Sequence, residues 1–193
     1  MLQYYKWYFY KIGHFYTLTN YKKCENYKGV NFVFKKGDAV VYPMHGAGII
    51  EDLEEKNIDG VSCTYYVLRI PIGNLTILVS LDNVSSMRNI LSAVDIERII
   101  YDVSINEIIN TNENWNQRYK DNMEKIKTGN LLQVVEVFHN LHRRESQKML
   151  STTEKKMLST VKKIILSEII LSYDVEKTKA EEILSKILNN IKI

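Results

Sequence analysis

The residues best equipped for chemistry lie in one run, Asn114-Trp115-Asn116-Gln117-Arg118-Tyr119-Lys120-Asp121-Asn122. It holds one of the two tryptophans in a chain of 193 residues. An indole beside Arg118, Lys120 and several amide side chains is the composition of a surface that stacks on a base or wedges a nucleic-acid step while cations hold phosphates. The same run admits a plainer reading. Trp115, Tyr119, Met123 and Ile126 recur at i, i+4, i+8 and i+11, the spacing of a core-facing helical stripe. Spacing alone makes Trp115 the first core residue of its helix. Its position at the helix start, after a polar loop, argues instead for a half-exposed ring.

Other candidates are more ambiguous. Arg143-Arg144 fits a phosphate clamp, or a solvated face paired with Glu136 and Glu145. Lys155-Lys156 and Lys162-Lys163 repeat at a spacing of seven, which aligns them on one helix face. Such a stripe either neutralises phosphates without reading sequence or is simply solvated. His139 and His142 stand at i, i+3, but no third ligand has matching spacing for a metal. His45, before Gly46, reads as a structural histidine, and Glu54-Glu55 as a solvated strand end. There is no Ser-His-Asp pattern, phosphate-binding glycine loop or paired-carboxylate signature. An enzyme, a metal or a cofactor is not expected.

The elements that must position these residues change character along the chain. From Phe34 the pattern is that of strands. Gly37-Asp38 signals a turn, Ala39 to Tyr42 is a short apolar run, and Pro43 to Gly48 is a glycine-containing loop. Strands follow over Ile49 to Lys56, Thr64 to Ile70 and Leu75 to Val79, separated by the turn pairs Asp59-Gly60 and Gly73-Asn74. Short strands with tight turns predict a small, bent antiparallel β-sheet or barrel of SH3 or Tudor type, with an edge left open for a partner.

From Ser92 the period is helical. Val94, Ile96, Ile99, Ile100 and Val103 suit a first helix, and a polar loop runs from Asn106 to Asn114. A second helix runs from Trp115 to Lys127 and ends at Gly129, and a third from Leu131 to Met149. Ser151-Thr152-Thr153-Glu154 reads as a capping box opening a fourth, and Asp174 as the cap of a fifth. The fold class is therefore α+β in two modules: a sheet or barrel over 34–88, then a compact five-helix bundle over 89–193.

Residues 1–33 stand apart. They hold seven of the 13 tyrosines and five lysines against one glutamate, which accounts for the whole of the net +3 and leaves the remainder near neutral. Whole-chain basicity is therefore weak evidence for a nucleic-acid partner. Lys28-Gly29-Val30 can be encoded by a purine-rich stretch resembling a ribosome-binding site, and Val33 by a GTG start. Two readings of the segment stand side by side: a poorly ordered tail, or an extension outside the natural product, with translation beginning near Val33. Mass spectrometry of the native protein checks the second, and an N-terminal peptide from residues 1–30 would sink it. Two cysteines, Cys24 and Cys63, are too few for a disulfide framework or a zinc site and suggest a reducing, cytoplasmic compartment. No apolar run is long enough for a membrane span, and no signal peptide is evident.

The run Phe34 to Gly48 (Phe-Lys-Lys-Gly-Asp-Ala-Val-Val-Tyr-Pro-Met-His-Gly-Ala-Gly) closely resembles the opening of the CarD/CdnL family of bacterial transcription regulators. The likeness continues at Tyr66-Val67-Leu68-Arg69 and Asn74-Leu75-Thr76-Ile77. It resumes at Asn114 to Asn122, Leu141-His142-Arg143-Arg144 and Leu150 to Leu158. It spans residues 33 to about 190, and Val33 stands where the usual starting Met would be.

The resemblance implies a Tudor-like module that binds the RNA polymerase β subunit, here through Lys56, Thr76, Ile77 and Leu78. It implies a helical module that contacts promoter DNA at the upstream edge of the bubble. Trp115 would wedge into the minor groove beside the −10 element, with Arg118, Lys120, Arg143, Arg144, Lys155, Lys156, Lys162 and Lys163 as DNA-binding residues. The implied result is a longer-lived open complex, formed by a monomer that is cytoplasmic and associated with the nucleoid through polymerase. Three departures stand out. Lys56 and Leu78 replace arginines of some members, Gln117 replaces another, and Asn83 to Arg88 looks a residue or two short.

Overall fold

The computed structural model describes residues 33–58, 61–105, 114–147 and 150–189. The tyrosine-rich N-terminus, the Asp59-Gly60 turn and most of the polar loop before Trp115 lie outside the described residues. Five antiparallel strands form one open sheet: β1 (Ala39–Tyr42), β2 (Gly46–Ile58), β3 (Val61–Ile70), β4 (Leu75–Ser80) and β5 (Arg88–Asn89), in the order β4-β3-β2-β1-β5. The barrel alternative is thus replaced by a sheet with β4 and β5 at its edges.

Alternation along the strands sorts the side chains between two faces. Val40, Tyr42, Ile50, Tyr66, Leu68, Ile70, Ile77 and Val79 form the main sheet core with Phe34, Leu81 and Met87. Cys63, Tyr65, Val67 and Leu78 form a separate small cluster on the other face. A bulge at Glu51, between the Ile50–Leu68 and Asp52–Val67 pairs, bends the long β2–β3 ribbon. Phe34 closes one end of the core. It lies edge-on to Tyr66, and the Tyr66 hydroxyl donates to the Phe34 carbonyl at 3.0 Å. Cys63 is buried in the small second cluster and is not a free thiol.

Five helices follow: α1 (Ala93–Ile105), α2 (Trp115–Lys127), α3 (Leu131–Ser146), α4 (Thr152–Tyr173) and α5 (Lys177–Asn189). Ile96, Ile100 and Val103 of α1 join the bundle core as expected, whereas Val94 is exposed. Asp174 does not start α5. It ends α4 in the left-handed region (φ 51°), which the short acidic side chain tolerates, and α5 begins three residues later. None of the described helices is long and apolar enough to cross a membrane.

The two modules are locked together by α4, which is buried nearly all round from Ile164 to Ile169. One side of α4 faces the other helices and the other side faces the start of β2. The Ala47 N–H donates to Ser167 Oγ at 2.8 Å. Gly46 (φ 99°) sits so close that a Cβ there would collide with Ser167 Oγ and the Ile164 backbone. Pro43 likewise fills the space where a Cβ on Gly129 would lie. His45 is structural, as expected: its ring stacks on Tyr42 at 5.4 Å, and burial lowers its pKa and keeps it neutral.

The linker between the modules is pinned as well. Arg88 donates to both carboxylate oxygens of Glu168 at 2.6 and 2.8 Å and to the Gly129 carbonyl at 2.9 Å. The Leu91 N–H adds a further bond to Glu168 at 3.0 Å.

Candidate nucleic-acid interface

Topology brings most of the predicted DNA-binding residues to one end of the bundle. Short connections make α2, α3 and α4 successively antiparallel, and the Lys125–Glu136 ion pair at 2.6 Å sets α2 against α3. The first turn of α2, the last turn of α3 and the first turn of α4 therefore meet. They carry Trp115, then Arg143 and Arg144, then Lys155 and Lys156.

Trp115 is the first residue of α2 and is 53% exposed. The helix under it is well capped. Asn114 Oδ1 accepts from the Asn116 N–H at 3.0 Å and the Gln117 N–H at 3.4 Å, and the Asn114 carbonyl accepts the Arg118 N–H. Tyr119 and Met123 pack against the bundle core and Ile126 lies within it. The stripe read from spacing is real from Tyr119 onward, and Trp115 is its exposed end.

Arg118 requires a correction. Expected to hold a phosphate, it is only 5% exposed, and its guanidinium is engaged with Glu154 of α4. Nη2 and Nε both donate to Glu154 Oε1, at 2.9 and 3.3 Å. The other oxygen, Oε2, accepts from the backbone N–H and hydroxyl of Ser151, at 3.0 and 2.9 Å, which completes the predicted capping box. Burial alone would raise the Glu154 carboxyl. Hydrogen bonds from Ser151 and Arg118, with the guanidinium charge, outweigh it and hold the carboxyl below its ordinary value. This pairing is complete at neutral pH and fades only as pH falls through that lowered value. Asn122, also read as flanking the indole, is buried too.

The remaining cations are better placed. Lys155, Lys156, Lys162 and Lys163 are all exposed, and none forms an ion pair among the described residues. Lys162 and Lys163 lie about 10 Å further along α4 than the first pair. Arg143 and Arg144 are partly exposed, and Arg144 Nε is a buried donor without a partner among the described residues. Lys120 is exposed but lies about 140° round the helix from Trp115, so it serves a different face. No group of acidic, histidine or cysteine residues suited to a metal occurs among the described residues.

On the sheet, the four predicted polymerase contacts divide. Ile77 is fully buried in the main core, because alternation on β4 turns it inward. Its side chain is therefore withdrawn as a contact. Thr76 and Leu78 point to the other face, where both are buried. Lys56 is half-buried and paired with Glu54 at 3.2 Å. Among the described residues β4 pairs only with β3, so its outer edge has no strand partner.

Comparison with known proteins finds a family match in each half of the described structure. Residues 34–91 match the CarD-like/TRCF RID domain, and residues 100–185 match the CarD C-terminal domain. A relative from Bacillus subtilis (strain 168), named "Putative transcription factor YdeB", is 39% identical over 142 residues. The alignment covers 71% of this chain and 90% of that protein. The chain belongs to the CarD-like family of transcription factors.

In this CarD-like protein, Glu154 and Glu168 are the important residues not singled out from spacing. Glu154 was visible only as a helix cap. Glu168 left a stronger signal: a lone charge in the run Ile164-Ile165-Leu166-Ser167-Glu168-Ile169-Ile170 must find a buried partner.

Proposed function

We propose that this CarD-like protein binds the RNA polymerase β subunit through its sheet and stabilises the open promoter complex through its helical bundle. The open edge of β4, the strand that carries Thr76 and Leu78, supports strand-to-strand docking on polymerase, with Lys56 two strands away on β2. The match to the RID domain supports the same partner. Docking makes the DNA encounter effectively intramolecular, so weak, sequence-independent contacts suffice.

Arg143, Arg144, Lys155, Lys156, Lys162 and Lys163 hold phosphates, while Lys120, on another face of α2, adds only to the general positive field. Trp115 packs into the distorted minor-groove step at the upstream edge of the bubble. That step exists only when the DNA is open, so the indole favours the open state by its differential affinity. The observation that carries this reading is the half-exposed indole on a capped helix start, at the end of the bundle that also bears Lys155 and Lys156. The protein acts as a monomer in the cytoplasm, associated with the nucleoid through polymerase.

Salt-dependent retention on duplex DNA, with and without polymerase, tests the DNA contact. Retention with polymerase falls with salt, and Lys155→Gln/Lys156→Gln lowers the log–log salt slope by about 2, one for each lost phosphate contact. If DNA makes no contribution in either setting, the bundle is a protein-binding adaptor and the reading fails.

A further inference from the structure

The Arg118–Glu154 pair links two helix starts that the proposed function needs at a fixed separation. Arg118 lies one turn after Trp115 on α2, and Glu154 immediately precedes Lys155 and Lys156 on α4. Each carboxylate oxygen of Glu154 has its own task. Oε1 holds the Arg118 guanidinium, and Oε2 holds Ser151 at the α4 cap. Both partners are almost wholly buried, so the pair sits beneath the exposed residues.

We propose that Glu154 is the positioning residue of this interface, setting the Trp115 indole relative to the α4 lysines through Arg118. The proposal rests on the reading that Trp115 meets DNA, but its physical content concerns the indole itself. A helix start is the part of a helix most prone to fray, because its first N–H groups lack intrahelical acceptors. Asn114 satisfies two of them from within the same segment. The tie from Arg118 to a second helix turns a capped end into a fixed one. Arginine suits the task because its planar fork presents Nε and Nη2 to one oxygen, so direction as well as distance is set. Lysine offers the charge without the fork.

Arg118 is only 5% exposed, so turning its guanidinium outward to a phosphate would draw it away from Glu154. That would strand a buried carboxylate, a large penalty for one surface contact. The same argument separates the roles at this end of the bundle: exposed lysines neutralise phosphate, and the buried pair orients.

The test uses the full-length chain carrying Trp7→Phe, which leaves Trp115 as the sole tryptophan. In this background Glu154→Gln, Arg118→Met and Arg118→Lys are compared. The readouts are indole anisotropy, acrylamide quenching, polymerase affinity and open-complex lifetime. Glu154→Gln and Arg118→Met lower the anisotropy, raise quenching and shorten the lifetime about tenfold, within the loss expected on removing the indole itself. Polymerase affinity stays at the wild-type value, and Arg118→Lys recovers part of both effects. Should Glu154→Gln or Arg118→Met fail to fold, Arg118→Lys alone decides through its anisotropy, since it keeps the helix and the charge. Wild-type anisotropy in the folded variants overturns the proposal, whatever happens to lifetime. Lowered anisotropy with an unchanged lifetime upholds the positioning role and overturns the wedge reading instead.

Discussion

Trp115→Ala shortens open-complex lifetime by about 5- to 30-fold while leaving polymerase affinity unchanged. The magnitude follows from the exposed part of the ring. An indole carries roughly 200 Å² of surface, of which about half is free here, and burial contributes roughly 25 cal/mol per Å². The ceiling is therefore about 2.5 kcal/mol. Unstacking the DNA step costs part of that, leaving about 1–2 kcal/mol of preference for the open state, which gives the stated range. Since Trp115 is 53% exposed and lies outside the core cluster, its loss changes folding stability by only about 0.5 kcal/mol. Lifetime is measured by competitor challenge at a stable-RNA promoter, and folding by chemical denaturation of the same preparations. Trp115→Phe keeps a smaller ring at the same place and falls between wild type and alanine. An unchanged lifetime for a well-folded alanine variant rejects the wedge.

How far the chain could be read depended on whether the deciding contact was local. Ser151 and Glu154 are three residues apart, so their capping box was legible, as was Gly129 after the last turn of α2. The Gly73-Asn74 turn was legible for the same reason, both residues having positive φ. Trp115 was legible in part: spacing and position pulled opposite ways, and the structure makes it the exposed end of a buried stripe. Arg118 was misread because its partner lies 36 residues away on another helix. Ile77 was misread because alternation separates two faces without saying which faces the core. The docking of the modules was not legible at all. Pro43 to Gly48 reads as a loop, and it takes α4, with Ser167 lying 120 residues beyond Ala47 and the Ile164 backbone beside it, to explain why Gly46 tolerates no side chain.

That docking gives the largest expected effect on stability. Arg88→Ala destabilises the protein by about 3–5 kcal/mol, because it leaves the Glu168 carboxylate buried without its counter-ion. The Glu168 side chain is 1% exposed against 28% for Arg88, so water can reach the arginine side of the pair far more easily than the carboxylate. The Leu91 N–H is the one other donor that Glu168 is seen to receive among the described residues. The loss also frees the Gly129 carbonyl at the turn between α2 and α3, so the strain spreads from the linker into the helix that carries Trp115. Denaturant titration measures the effect as a lower midpoint. Arg88→Met/Glu168→Leu, which removes both charges and keeps apolar volume, recovers most of the stability, and the double-mutant cycle gives a coupling of about 2 kcal/mol or more. The two variants also separate stability from function. Arg88→Met/Glu168→Leu restores folding without the directional pair between linker and α4, so its open-complex lifetime remains below wild type if that pair sets the reach from polymerase to DNA. A loss below about 1 kcal/mol in Arg88→Ala would mean that the apolar contacts of α4 with β2 hold the modules together without the ion pair.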